Sequence, residues 1–231
     1  PKEKQPDFLI INGAECEPYI TSDYRCFMEE GEDVLEGVLL MLKYLGIPKC
    51  IIGIEKNKPK AIEKMTRLCE KHDNITVKPL KSSYPQGAEK TLIFSTTGRV
   101  VKEGTLPLAS GCIVINSSTA AFIAQYIRTG MPLVKRRITV DGNIVKKPSN
   151  FIVPVGMSIG EIVYYAELSD KPDRIILGGP MMGACAFDPD YPLSKTNNAV
   201  LMFADSPVYE PSECIRCGKC VKACSMNLLP T

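Results

Sequence analysis

Phe8-Leu9-Ile10-Ile11-Asn12-Gly13-Ala14-Glu15-Cys16-Glu17-Pro18 is the stretch on which the fold turns. Consecutive apolar residues sit between a polar lead-in and the turn-forming pair Asn12-Gly13. Such a run reads as a strand buried on both faces, the habit of parallel sheets. A turn with two carboxylates one residue apart follows directly. Ligands of open α/β sheets bind beyond the carboxyl ends of strands, so this turn lies where a site would be.

Outward from that strand the pattern alternates. Residues 32–44 carry helical spacing, with Val34, Leu35, Val38, Leu39 and Leu42 on one face and Gly46 placed to end the helix. Residues 50–54 read as the next strand, 59–71 as a helix with Pro59 at its first position, and 75–77 as a third strand. Residues 89–94 read as helical and 112–115 as another buried strand. Ser117-Ser118-Thr119 can cap a helix over 120–128, before Gly130. This rhythm predicts an α/β domain with a parallel sheet.

Pro132 marks a plausible edge. Residues 136–140 alternate polar and apolar, and Asp141-Gly142 is a hairpin signal. Residues 144–145 and 150–153 read as short strands, and Ser158 caps a helix over 159–168 with Glu161 in the capping-box position. Residues 174–177 return as a strand before Gly178-Gly179-Pro180, whereas 186–206 carry weak signals. Three units are expected: an α/β domain over 1–132, a small α+β module with its linker over 133–206, and a cysteine segment over 207–231.

That last segment carries Cys214-Ile-Arg-Cys217-Gly-Lys-Cys220-Val-Lys-Ala-Cys224, the C-x₂-C-x₂-C-x₃-C spacing of a ferredoxin-type iron–sulfur site. Arg216 and Lys219 favour thiolate and offset cluster charge. Zinc is the competing reading, but zinc sites usually pair two C-x₂-C units, and no second unit is present. The other six cysteines, Cys16, Cys26, Cys50, Cys69, Cys112 and Cys185, are expected to be reduced and mostly buried.

The 231 residues carry a net charge of +2, which argues against a dominant nucleic-acid or anionic-membrane role. Hydrophobic residues at 45% allow a real core, and no run approaches the ~20 apolar residues that span a bilayer. The chain starts with Pro1 and a polar lead-in and stops at Leu229-Pro230-Thr231, so a piece of a longer protein is expected.

Three loops invite a ligand. Glu15 could accept from a ribityl hydroxyl or a flavin N–H, and Glu17 could face a nicotinamide. Alternatively both glutamates sit in water beside an ordinary turn. Tyr84-Pro85-Gln86-Gly87-Ala88-Glu89-Lys90-Thr91 places glycine before a helix start, which suits an anion or is simply a helix entry. Ile115-Asn116-Ser117-Ser118-Thr119 repeats that arrangement, again with plain capping as the alternative. None is a G-x-G-x-x-G or P-loop pattern. His72, the only histidine, is read as a solvated residue after a helix.

In this order, the residues from Asn12 to Thr21, those from Tyr84 to Lys90, Gly178-Gly179-Pro180-Met181-Met182-Gly183 and the cysteine run closely resemble the RnfC family of Rnf electron-transport complexes. The resemblance covers essentially the whole chain. It implies a peripheral, cytoplasmic, NADH-oxidising subunit on the inner face of the cell membrane, similar to the flavin-carrying subunit of respiratory complex I. Its cofactors would be FMN, NADH and [4Fe-4S] clusters. Its partners would be the other subunits of the Rnf membrane complex and, indirectly, ferredoxin, with no nucleic acid.

By the same resemblance Asn12, Glu15, Gly87 and Asn116 match flavin-holding positions, with Thr119 a weaker match. Glu17 matches a carboxylate near the nicotinamide. Glu89 matches the second of two adjacent glutamates, the first being replaced by Ala88. Residues 133–180 resemble the family's β-grasp module, similar to a soluble-ligand-binding β-grasp (SLBB) unit. The family's glycine-rich loop before the first strand and its second cysteine run are not in this chain. In two-cluster sites the fourth cysteine of a run serves the other cluster. Cys214, Cys217 and Cys220 would then share one cluster and Cys224 would belong to another, so this piece alone is expected to bind flavin poorly and assemble no complete cluster. Ser225 replaces the proline that usually follows the fourth cysteine, with little expected consequence.

Two other readings remain. A soluble relative could serve a cobalamin or amino-acid (proline) reductase system. A non-enzymatic scaffold could bind structural zinc.

Overall fold

The computed structural model describes residues 5–204, 210, 212–224, 228 and 229. Residues 1–4 of the polar lead-in and Ser225 lie outside them. Strand β1 (Phe8–Gly13) sits where the apolar run predicts, with Leu9, Ile10 and Ile11 fully buried. It is joined by β2 (Lys49–Glu55), β3 (Ile75–Leu80) and β4 (Cys112–Asn116) in the order β3-β2-β1-β4, every pair parallel. The chain moves out to one side of β1 for β2 and β3, then crosses to its other side for β4. That reversal opens a crevice at the carboxyl ends of β1 and β4.

Four helices cover this sheet: α1 (Ser22–Leu45), α2 (Pro59–Cys69), α3 (Glu89–Thr97) and α4 (Ser117–Thr129). Because side chains alternate along a strand, Leu9 and Ile11 meet one face and Ile10 the other. Val34 and Val38 of α1, Met65 of α2 and Ala121 of α4 pack on Leu9 and Ile11. Leu92 and Ile93 of α3 pack on Ile10.

Helix α1 begins ten residues before the expected start at Glu32. Glu30 departs from helical geometry inside it (φ −122°, ψ 26°), and Gly31 follows. Glycine is a poor helix former, so only the second segment shows a clean period. The expected C-terminal glycine holds: Gly46 is left-handed (φ 66°) and its N–H donates to the Leu42 carbonyl. The cap of α4 is Asn116, whose side chain accepts from the Ser118 N–H, so the serines already belong to the helix.

A second sheet comprises β5 (Lys135–Asp141), β6 (Ser149–Pro154), β7 (Arg174–Leu177), β8 (Ala184–Ala186) and β9 (Ala199–Phe203), in the order β6-β5-β9-β7-β8. β5 and β9 are parallel at its centre, and the other pairs are antiparallel. A hairpin, then α5 (Ile159–Tyr165), then a returning pair is the β-grasp arrangement. The capping box at Ser158 and Glu161 forms as expected, although α5 stops short of 168.

Two expectations fail here. Asp141-Gly142 makes no tight hairpin, and residues 144–145 form no strand, only an isolated bridge from Val145 to Leu168. Gly142 instead presses on the neighbouring strand, where an added Cβ would stand 1.8 Å from the Met202 carbonyl oxygen. Asn143 pairs with both the N–H and the C=O of Ala204. The loop is therefore tied down onto β9 instead of turning back at once. β9 itself lay in the weak stretch, because only Val200 and Phe203 of its residues carry a strand preference, and no alternation or turn signal frames the run.

The two sheets meet at the carboxylate turn. The Thr21 N–H donates to Thr139 Oγ1 (3.0 Å), and Asn150 Nδ2 donates to Thr21 Oγ1 (2.8 Å). Ile20 packs on Ala199 and Leu201, and the Tyr19 ring meets Phe203 edge-on at 5.3 Å. Arg137 of β5 pairs with Glu29 and Glu30 at the break in α1. Among the described residues, no helix is long and apolar enough to cross a membrane. All ten cysteines are free; Cys26, Cys50, Cys69 and Cys112 are buried and Cys16 is half-buried, but Cys185 is exposed on the edge strand β8.

Candidate functional site

Asn12, next to last in β1, and Asn116, the last residue of β4, are partners in register at the crevice. Asn12 Oδ1 accepts from the Ala14 N–H (3.1 Å), and its Nδ2 donates to the Gly87 carbonyl (3.0 Å). One side chain thus joins the carboxylate turn to the Tyr84–Gly87 loop. The Gly87 N–H donates to Cys16 Sγ (3.2 Å). The two backbones approach so closely that a Cβ at Gly87 would lie 2.5 Å from the Ala14 carbonyl oxygen.

Glu15 is buried, which disposes of the reading that places both glutamates in water. Its Oε1 accepts from the Asp23 N–H at the start of α1 (2.8 Å). Its Oε2 lies 3.4 Å from Lys58 Nζ and has no hydrogen-bond partner among the described residues. Burial, helped by the neighbouring Asp23 charge, pushes the Glu15 carboxyl up to about 8, against the pull of Lys58. Asp23 is also pushed up by burial, opposed by hydrogen bonds from Asn116 and Ser117. Burial raises the Cys16 thiol as well. Glu17 reaches the other sheet, where its Oε2 accepts from the Met181 N–H (2.8 Å).

A cavity of about 350 Å³ lies among these groups. Asn12, Glu15, Glu17, Gly87 and Asn116 all line it. Thr119 does not; it faces a different cavity beside Phe122 and Arg136. Glu89 opens α3, is exposed, and is outside the lining. Sequence reasoning missed Asp23 and Lys58, which meet Glu15 only in the folded chain, and Met182 and Asn198, which come from the second sheet.

Residues 1–125 match the family model described as the Nuo51 FMN-binding domain. The chain belongs to that family. Among curated relatives, this Nuo51-type chain is 41% identical to the C subunit of the proton-translocating ferredoxin:NAD(+) oxidoreductase complex of Clostridium ljungdahlii, over 100% of its own length and 51% of the relative's. It is 39% identical to the C subunit of the Na(+)-translocating complex of Acetobacterium woodii, over 100% of this chain and 53% of that one. Against the C subunit of the ion-translocating oxidoreductase complex of Rhodobacter capsulatus the identity is 38%, over 96% and 44%. The resemblance to the RnfC family is thereby borne out, and the chain spans about half the length of the curated relatives it matches.

An NAD+-reducing [NiFe]-hydrogenase, solved in its H2-reduced state, superposes with a TM-score of 0.73 at 19% identity, covering 87% of this chain and 41% of that one. That likeness supports the fold.

The cavity suits a flavin. Ala14, Ile20 and Pro85 offer apolar surface to a planar ring, while paired asparagines and a buried carboxylate stand at its edge. The cysteine run fits a cluster by residue type and spacing but not by arrangement. Cys214, Cys217 and Cys220 are exposed, Cys224 is half-buried, and no group of three or more His, Cys, Asp or Glu converges among the described residues. Gly218 (φ 70°) turns the chain into the short helix α6 (Lys219–Ala223).

Proposed function

We propose that the full-length protein is the peripheral electron-transfer subunit of an ion-translocating NADH:ferredoxin oxidoreductase, working on the cytoplasmic face of the membrane through partner subunits. The observation that carries this reading is the cavity at the sheet's reversal, closed in by Asn12, Glu15, Gly87 and Asn116. The family match and the kinship with ion-translocating complexes support it, and that kinship favours a membrane complex over a soluble cobalamin or proline reductase.

Bound FMN supplies hydride acceptance from NADH and one-electron release. The chain's task is to bind, orient and exclude water. Asn12 and Asn116 would fix the ring edge, and the bare backbone at Gly87 would let it lie flat against the loop. Glu15, mostly protonated at neutral pH, presents a neutral acid to the site and can hold or release a proton there. Glu17 stands at the rim, where a nicotinamide would approach. Thr119 and Glu89 receive no contact in this scheme.

The proposed division is a flavin/NADH domain over 1–132, an SLBB-like β-grasp module over 133–206 and an iron–sulfur segment over 207–231. Cys214, Cys217, Cys220 and Cys224 are proposed as [4Fe-4S] ligands once the segment closes around iron. The test is anaerobic reconstitution of the full-length protein, followed by counting flavin, iron and sulfide per chain. Stoichiometric FMN with four or more irons is expected. Zinc in place of iron, or a chain that takes no flavin, would overturn it.

A further inference from the structure

The second sheet does more than brace the first. Gly179, Met182 and Asn198 line the same cavity as Asn12 and Asn116, from the opposite side. We infer that this sheet forms the outer wall of a dinucleotide site. Asn198 makes a direct contact to the nicotinamide-ribose half, and the 178–183 turn, held by Glu17, is the surface on which that half seats. The inference rests on the proposed function and names residues that no sequence motif assigned to a ligand.

Asn198 carries the strongest argument. Its backbone is fixed, since its carbonyl accepts from the Thr139 N–H (2.9 Å). Its carboxamide makes no hydrogen bond among the described residues, although it is half-buried and lines the cavity. The neighbouring Asn197 instead spends its side chain on Ser194 (2.7 and 2.8 Å). The Asn198 amide is left to water or to a ligand in the cavity that it lines. It can donate and accept at once, which matches a nicotinamide carboxamide or a ribose hydroxyl.

The turn is shaped for the same task. A Cβ at Gly179 would stand 2.0 Å from Glu17 Oε2, so a larger residue there would displace the Glu17 side chain from its place against the turn. The Gly183 N–H donates to the Gly179 carbonyl (2.7 Å) and closes the turn on itself. Glu17 then accepts from the Met181 N–H, making it a positioning residue for the wall. Met182 is 76% exposed yet borders the cavity, a pliable apolar surface against which a ring can settle. The asparagines near the strand ends form the floor, so a ligand stacked above the flavin is the one that meets the second sheet.

The test uses the full-length protein with Asn198→Ala, Asn198→Ser and Glu17→Gln. FMN content, the NADH dissociation constant of flavin-depleted protein by NADH fluorescence, and KM and kcat for NADH with an artificial acceptor are measured. N198A should keep wild-type FMN while raising both the dissociation constant and KM about tenfold, the scale of one lost hydrogen bond. N198S should fall between, and kcat should move less than KM. E17Q should weaken NADH more than FMN. Wild-type NADH affinity in N198A, or equal losses of FMN and NADH in both Asn198 variants, would overturn the inference. A wild-type protein that takes up no FMN would defeat the functional reading instead, and NADH affinity of the flavin-free chain would still decide the wall.

Discussion

Glu15 is the residue whose chemistry depends most on its surroundings. Its side chain is 2% exposed, with Lys58 on one oxygen and the start of α1 on the other. Its carboxyl moves from an ordinary 4.5 to about 8. Between those values the folded chain binds the proton more tightly than the unfolded chain, so stability falls as pH climbs from about 4.5 to about 8 and levels off above. Glu15→Gln removes that contribution. Urea unfolding at pH 5, 6.5 and 8 should show the variant gaining roughly 2–4 kcal/mol on wild type across the window. A constant offset at all three values would show that the carboxyl is not held protonated. Two carboxylates on a turn after a buried strand were legible in the sequence. Which one is buried was not, because Lys58 and Asp23 reach Glu15 only through the packing of α1 and the start of α2.

At the scale of elements, the contact between α1 and α4 is a backbone contact. Gly37 lies against α4 so closely that a Cβ would sit 1.9 Å from the Ala120 carbonyl oxygen. That oxygen is backbone and cannot swing away, so Gly37→Ala must push the helices apart. We expect a loss of about 3 kcal/mol in chemical denaturation despite alanine's better helix propensity. A stabilised variant would mean that the helices part without cost. Because Asn116 both ends β4 and caps α4, movement of α4 would also reach the floor of the cavity, and flavin affinity should fall with stability. Strands β1 to β4 and the glycine ends of α1 and α4 were readable because period and left-handed backbone are local properties. The first third of α1 and the central strand β9 were not. The former is separated by the break at Glu30, and the latter is drawn into a sheet by its neighbours.

For the molecule as a whole, the relation between the two sheets matters most. Arg137, 9% exposed, carries it by pairing with Glu29 and Glu30 across the junction. Arg137→Ala leaves two carboxylates facing an emptied site. It should cost about 1–2 kcal/mol, because the Arg137 side chain is buried but Glu29 is exposed and Glu30 half-buried, so water screens the carboxylates left behind. If the pair couples the sheets, unfolding followed by a probe on each sheet should separate into two transitions. A single coincident transition would mean that the Ile20 contacts and the Thr21–Thr139–Asn150 hydrogen bonds suffice.

The chain's own order of residues determined the parallel sheet, the carboxylate turn at its ligand-binding end, the capped helix of the second unit, and a cysteine spacing suited to iron. Each is written in a few neighbouring residues, where periodicity, turn geometry or ligand spacing acts directly. Tertiary structure alone decided that Glu15 is sealed beside Lys58, that Glu17 holds a turn from the other sheet, and that Asn198 lines the cavity. Those outcomes depend on which distant segments are brought together, and on how much water is left between them.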